Sequence, residues 1–171
     1  MRISKIRVGL SSVAVFTMLV AGVGCTQEAA VVEVEHEGQR VEVKVPVAFG
    51  THLPSLGDGI LYIADRIEAI SDGSLTMTVH EPGELVAATE ILDAVSKGSI
   101  NAGYATAGYW VGKLPAAPLF SAVPFGPDAP EFLAWVYYGN GRKLWQKTYD
   151  DAGFNVQSIP CGIIAPETSG W

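Results

Sequence analysis

Between residues 41 and 80 the hydrophobic pattern passes from a period of two to a helical period and back to two. Val41, Val43, Val45 and Val47 alternate with Glu42, Lys44 and Pro46, as in a strand with one face turned to a core. Over residues 56–71, Ile60, Ile63, Ala64, Ile67 and Ile70 share one face while Asp58, Asp65, Arg66 and Glu68 fall elsewhere, giving an amphipathic helix stopped by Asp72-Gly73. Leu75, Met77 and Val79 then alternate with Thr76, Thr78 and His80 as a second strand. Pro46 has no N–H, so pairing on its strand is expected to be one-sided or to end there.

The order continues in the same sense. After the loop Glu81-Pro82-Gly83-Glu84, residues 88–97 read as a helix with Ile91, Leu92 and Val95 inward and Gly98 as its stop. Residues 100–106 read as a short third strand. Strand, helix, strand, helix, strand implies an α/β fold with a mostly parallel sheet, right-handed crossovers and flanking helices. In such sheets ligands bind beyond the carboxyl ends of the strands, which puts the loops around His52, Glu84 and Tyr109 at a cleft. Further on, Asp128-Ala129-Pro130-Glu131 opens a helix, Pro130 standing where its missing N–H does no harm. Gly139-Asn140-Gly141 breaks it, a second helix runs to Gly153, and residues 155–160 are expected to form a strand.

The first 25 residues have a different character. Arg2, Lys5 and Arg7 precede a run of about 16 residues, Val8 to Val23, that carries no charge. A positive start, a short apolar centre and small residues before a cut form an export signal, and the run is short against the roughly 20 residues of a membrane span. Gly22-Val23-Gly24-Cys25 also resembles a lipobox, although Gly22 stands where leucine is usual. A lipid anchor on Cys25 and simple cleavage are both open readings. Residues 26–40 read as a tether and 41–171 as the folded part.

The formal charge of −7 falls to about −10 once three basic residues leave with the signal. No broad positive field is left for a phosphate backbone, so nucleic acid is not an expected partner. A small anion remains admissible where local donors override net charge. With only Cys25 and Cys161, the fold is not stapled by disulfides, and Cys161 is read as a small buried hydrophobe. No GxGxxG, GxxxxGK[ST], HExxH, CxxC or GxSxG occurs, and His36, His52 and His80 lie too far apart for a short metal-ligand spacing. Tyr104, Tyr109 and Trp110, set among glycines and alanines, suit either core packing or a cleft wall. For Trp135, Tyr137, Tyr138 and Trp145 helix packing is the expected role.

An ordered series of motifs then carries a resemblance. Pro82-Gly83-Glu84-Leu85, the run from Glu90 to Gly98, Gly108-Tyr109-Trp110-Val111-Gly112-Lys113, Ala122-Val123-Pro124-Phe125-Gly126, and Cys161-Gly162 through Glu167 to Gly170-Trp171 together resemble the solute-binding proteins of TRAP (tripartite ATP-independent periplasmic) transporters. These are DctP-like proteins, and the likeness is to the branch that binds 2-oxo acids and related carboxylates. It covers nearly everything from Val41 onward and corresponds to the amino-terminal half of a family member.

The resemblance implies a periplasmic-binding-protein-like first lobe with the start of a hinge and second lobe, an incomplete two-lobe clamshell that closes on its ligand. The implied ligand is a small organic carboxylate, passed on to the permease subunits of the transporter in the membrane, and the implied location is the periplasm. Tyr109 is implied as a hydrogen-bond donor to the ligand, with Trp110 or Phe49 as an apolar wall and His52 and Glu84 at the cleft. In the oxo-acid branch a bound cation joins substrate carboxylate and protein, and the residue four before the tryptophan of a GGW-like motif, often glutamine, helps to hold it. Here that residue is Glu167, an oxygen donor suited to Na⁺ or Ca²⁺. The family's carboxylate-pairing arginine lies beyond the tryptophan; neither Arg66 nor Arg142 matches it, so these residues alone are expected to bind weakly or not at all. The rival reading is a secreted α/β enzyme that uses Glu84 or Glu167 as general acid or base.

Overall fold

The computed structural model describes residues 40–164. The export signal, Cys25, most of the tether, Glu167 and Trp171 lie outside the described residues. Strand β1 (Val41–Pro46) leads through a turn-rich loop to helix α1 (Gly59–Ile70), which returns the chain to strand β2 (Leu75–His80). The two strands pair in parallel with Val41 opposite Leu75 and Pro46 opposite His80, as the changes of period require. Helix α1 begins later than the pattern suggested because residues 53–58 are spent in turns, Gly57 N–H donating to the Leu53 carbonyl at 2.9 Å. Ile60 is its buried residue, whereas Ile70, expected on the inner face, is 76% exposed at the last turn.

The predicted third strand is reduced to one parallel bridge, Val47 opposite Tyr104. Val41 and Val47 donate to Ser74 and His80 on the β2 side, while Ala48 donates to Tyr104 on the other. The even-numbered positions of β1 therefore face the third segment, and at Pro46 that position has no N–H to give. A longer ladder lacks its donor there, and the pairing starts only at Tyr104.

Helix α2 (Ile91–Ser96), preceded by a 3-10 turn, buries Ile91, Leu92 and Ala94. Two further 3-10 turns, Ala107–Trp110 and Ala117–Phe120, lead to helices α3 (Ala129–Tyr138) and α4 (Gly141–Asp151). Asp128 caps α3, its Oδ1 accepting from Glu131 N–H at 3.4 Å. The core has two parts: one holds Val45, Val47, Ile60 and Tyr104, the other gathers Ala48, Leu92, Trp110, Phe120 and Tyr149 among others, and Phe49 packs against both. Of the four aromatics expected to pack, Trp135 and Trp145 stack on Phe120, while Tyr137 and Tyr138 are exposed.

Residues 155–160 form no strand. Gln146 takes their backbone groups instead: its Nε2 donates to the Val156 carbonyl at 2.7 Å and its Oε1 accepts from Ser158 N–H at 3.0 Å. A side chain of α4 thus does the work of a neighbouring strand. Among the described residues no helix is long and apolar enough to cross a membrane.

Candidate ligand-binding site

The register that pairs Pro46 with His80 brings the carboxyl ends of β1 and β2 side by side. Past that point the chain turns outward at Gly50-Thr51-His52 and at Glu81. Thr51 N–H donates to both oxygens of the Glu81 carboxylate, at 3.3 and 3.4 Å, and the Thr51 hydroxyl donates to Oε1. The hydroxyl is the main cause holding the Glu81 carboxyl below its ordinary 4.5; the amide and nearby His52 act in the same direction and partial burial opposes them. Thr51 and Glu81 were not singled out in the sequence. Only the strand register joins residues thirty positions apart, and a single sequence does not print the register.

Phe49 is half-buried at the β1 tip, its ring centroid 5.8 Å from that of Tyr109 and tilted by 38°. Tyr109 stands in the 3-10 turn after Tyr104, a turn begun by Thr106, whose Oγ1 accepts from Gly108 N–H at 3.4 Å. Tyr109 is 38% exposed and Trp110 only 5%. The structure therefore joins the Phe49 and Tyr109 rings at one edge and sends Trp110 into the core, where it backs Tyr109 at 6.3 Å.

His52 is exposed in the β1 loop, its ring lying over Gly50. Glu84 is drawn into its own turn: its Oε2 accepts from Glu81 N–H at 3.0 Å and lies 3.4 Å from His80 Nδ1. The other nitrogen of that ring, Nε2, is buried with no partner. Among the described residues no group of three or more His, Cys, Asp or Glu is placed to hold a metal ion. The carboxylates at the strand tips already accept protein donors, so the described residues do not fit a cation by themselves. Glu167, the implied donor, lies outside them. A separate groove of about 340 Å³ opens at the α3–α4 junction, lined by Val136, Tyr137, Arg142, Lys143 and Gln157 among others; none of the residues expected at the cleft lines it.

At the far side of the sheet edge, the Tyr104 hydroxyl sits close to Gly59 and Gly162. Burial raises its pKa above 10.0, with Cys161 and Asp58 adding to the effect. Cys161, expected to be buried, is exposed as a residue, although its neighbours shield the sulfur enough to raise the thiol above 9.0.

A parallel α/β lobe with aromatic and polar groups gathered at its strand tips has the form of a solute-binding lobe. Residues 51–159 match the model of bacterial extracellular solute-binding protein, family 7 (DctP), and the chain belongs to that family. It is 32% identical over 170 residues to a monocarboxylate 2-oxoacid-binding periplasmic protein of Nostoc sp., covering 98% of this chain and 45% of that protein. Among solved structures, it is similar to a TRAP periplasmic solute-binding protein of Pseudoalteromonas atlantica with bound sodium and pyruvate, with a TM-score of 0.63 and 34% identity over 67% of this chain and 35% of that one. A counterpart from Colwellia psychrerythraea with bound calcium and pyruvate gives a TM-score of 0.63 and 33% identity with the same coverage. The chain thus spans less than half the length of the curated relative and about a third of these structures.

Proposed function

We propose that this chain is the first lobe of the extracytoplasmic solute-binding component of a TRAP transporter, which captures a small organic carboxylate of the 2-oxo acid kind and delivers it to the membrane permease. The observation that carries the reading is the pairing of Phe49 and Tyr109 at the strand tips of a family 7 lobe, in a chain similar, among other structures, to two that hold pyruvate. Tyr109 is partly open and offers its hydroxyl to a carboxylate or keto oxygen, Phe49 supplies the apolar wall, and His52 stands at the rim. The sodium and calcium of the similar structures suggest a counter-ion for the solute, with Glu167 as one of its oxygen donors. The protein works in the periplasm, either free after cleavage of the signal or held by a lipid on Cys25.

The reading is of binding without bond-breaking, in keeping with a family of solute-binding proteins. The enzyme reading has little support from Glu84, whose carboxylate is committed to the Glu81 N–H and His80. Calorimetric titration of the complete gene product with pyruvate, in sodium, in calcium and in chelator, tests the proposal. The expected result is saturable, stoichiometric uptake that weakens when both ions are withdrawn, with pyruvate recovered unchanged. Absence of uptake in either ion, or conversion of pyruvate, would overturn it.

A further inference from the structure

We infer that Glu81 is the positioning residue of the candidate site: its carboxylate grips Thr51 and so fixes the β1-tip loop that presents Phe49 and His52 to a solute. The inference rests on the solute-binding reading and deepens it. Past the bond from Val47 N–H to the His80 carbonyl, the hydrogen bonds that join this loop to the end of β2 all run to the Glu81 carboxylate. An ionised acceptor makes these bonds stronger than neutral ones. The grip has a firm base, because Glu81's own N–H donates to Glu84 Oε2 at 3.0 Å. It also has a firm target, because the loop closes on itself through Leu53 N–H to the Gly50 carbonyl at 3.0 Å.

Gly50 makes the arrangement compact. A Cβ there would lie 2.5 Å from His52 Cε1, 2.7 Å from Nδ1 and 3.6 Å from Glu81 Oε2, so the imidazole and the carboxylate share the space that a side chain would fill. Thr51 lies between Phe49 and His52, one residue from the latter and two from the former, so whatever holds Thr51 sets the backbone from which both side chains project. The titratable group acting on the carboxylate is His52 from the loop; Glu84 accepts from the Glu81 backbone N–H and lies against His80 at the end of β2. Loss of the carboxylate's charge weakens all three bonds together and frees the loop. A site that must then order its loop on binding loses affinity without losing its fold.

The test compares wild-type complete gene product with Glu81→Ala, Glu81→Gln, Thr51→Val and Thr51→Ser. Pyruvate affinity is measured by calorimetry in sodium and in calcium, and Thr51 amide exchange by NMR. Glu81→Ala is expected to weaken pyruvate about tenfold or more and to speed Thr51 exchange. Thr51→Val should fall between it and wild type, and Thr51→Ser, which restores the hydroxyl, should return to wild type. Wild-type affinity is expected to fall as Glu81 becomes protonated in acid, and Glu81→Gln should make the fall shallower, the remainder belonging to the other carboxylates such as Glu167. Wild-type affinity and exchange in Glu81→Ala would overturn the inference; were that variant to misfold, equal behaviour of Thr51→Val and Thr51→Ser would do the same. Failure of wild type to take pyruvate sinks the solute reading instead, and Thr51 exchange alone then decides whether Glu81 holds the loop.

Discussion

At Gly57 an added Cβ would lie 2.0 Å from the Gly50 carbonyl oxygen and 2.7 Å from its carbon, main-chain atoms that cannot turn aside. At Gly50 the closest atoms met belong to the His52 ring, an exposed side chain rather than main chain. Gly57→Ala is therefore expected to destabilise the lobe by roughly 1–3 kcal/mol, the usual cost of forcing atoms into filled space, and Gly50→Ala by clearly less. Urea unfolding of the two variants checks the order, and equal midpoints would contradict it. The same loop shows what residue-level reading can reach. Tyr109 was expected at the cleft because it follows a predicted strand, and Phe49 or Trp110 as a wall because the family resemblance implies one; the Phe49 and Tyr109 rings lie 5.8 Å apart. Thr51 and Glu81 went unremarked because a threonine and a glutamate in turns look like solvated residues until the register sets them against each other.

Among the elements, one side chain bridges α3 and α4, in addition to the core contacts of Tyr149. Phe120, in the 3-10 turn Ala117–Phe120, stacks on Trp135 of α3 at 6.0 Å and on Trp145 of α4 at 5.8 Å, nearly parallel to both. Phe120→Ala removes the shared ring and leaves two large aromatics facing a void, a loss expected to cost about 3–5 kcal/mol and to collapse the near-ultraviolet circular dichroism of the tryptophans. Retention of that signal with an unchanged unfolding midpoint would show that the helices dock by other contacts. The elements most legible in the sequence were those with a strong local signal. Strands β1 and β2 follow from alternation, α3 from Asp128 and Pro130, and α4 from the break at Gly139-Asn140-Gly141. The third strand and residues 155–160 have strand-like composition, but pairing needs a donor and an acceptor in place. Pro46 withholds a donor from the third strand, and Gln146 occupies the backbone of residues 156–158.

Taken as a whole, the lobe has ionisable groups that set both edges of its stability against pH, with opposite signs. Glu81 is held below 4.5, so its contribution is full above that value and is lost as pH falls through its depressed pKa. The alkaline edge belongs to the core. Tyr104 lies in one core cluster and Tyr149 in the other, 7% and 5% exposed. Burial raises both hydroxyls above 10.0, in Tyr149 against the opposing hydrogen bonds from Trp145 and Trp110. A raised phenol favours the neutral form in the fold, so its contribution is complete below 10.0 and drains away as pH climbs through the raised value. Lys113 adds to the same edge, since Asp93 holds its ammonium above 10.5. The double variant Tyr104→Phe, Tyr149→Phe keeps both rings, Lys113 and the four exposed tyrosines but has no core phenol to ionise. Its unfolding midpoint in urea is expected to fall less steeply above pH 10 than that of wild type, while the excess tyrosinate absorbance of wild type over the variant rises in step with the loss. A double variant as steep as wild type would place the alkaline edge outside the two cores.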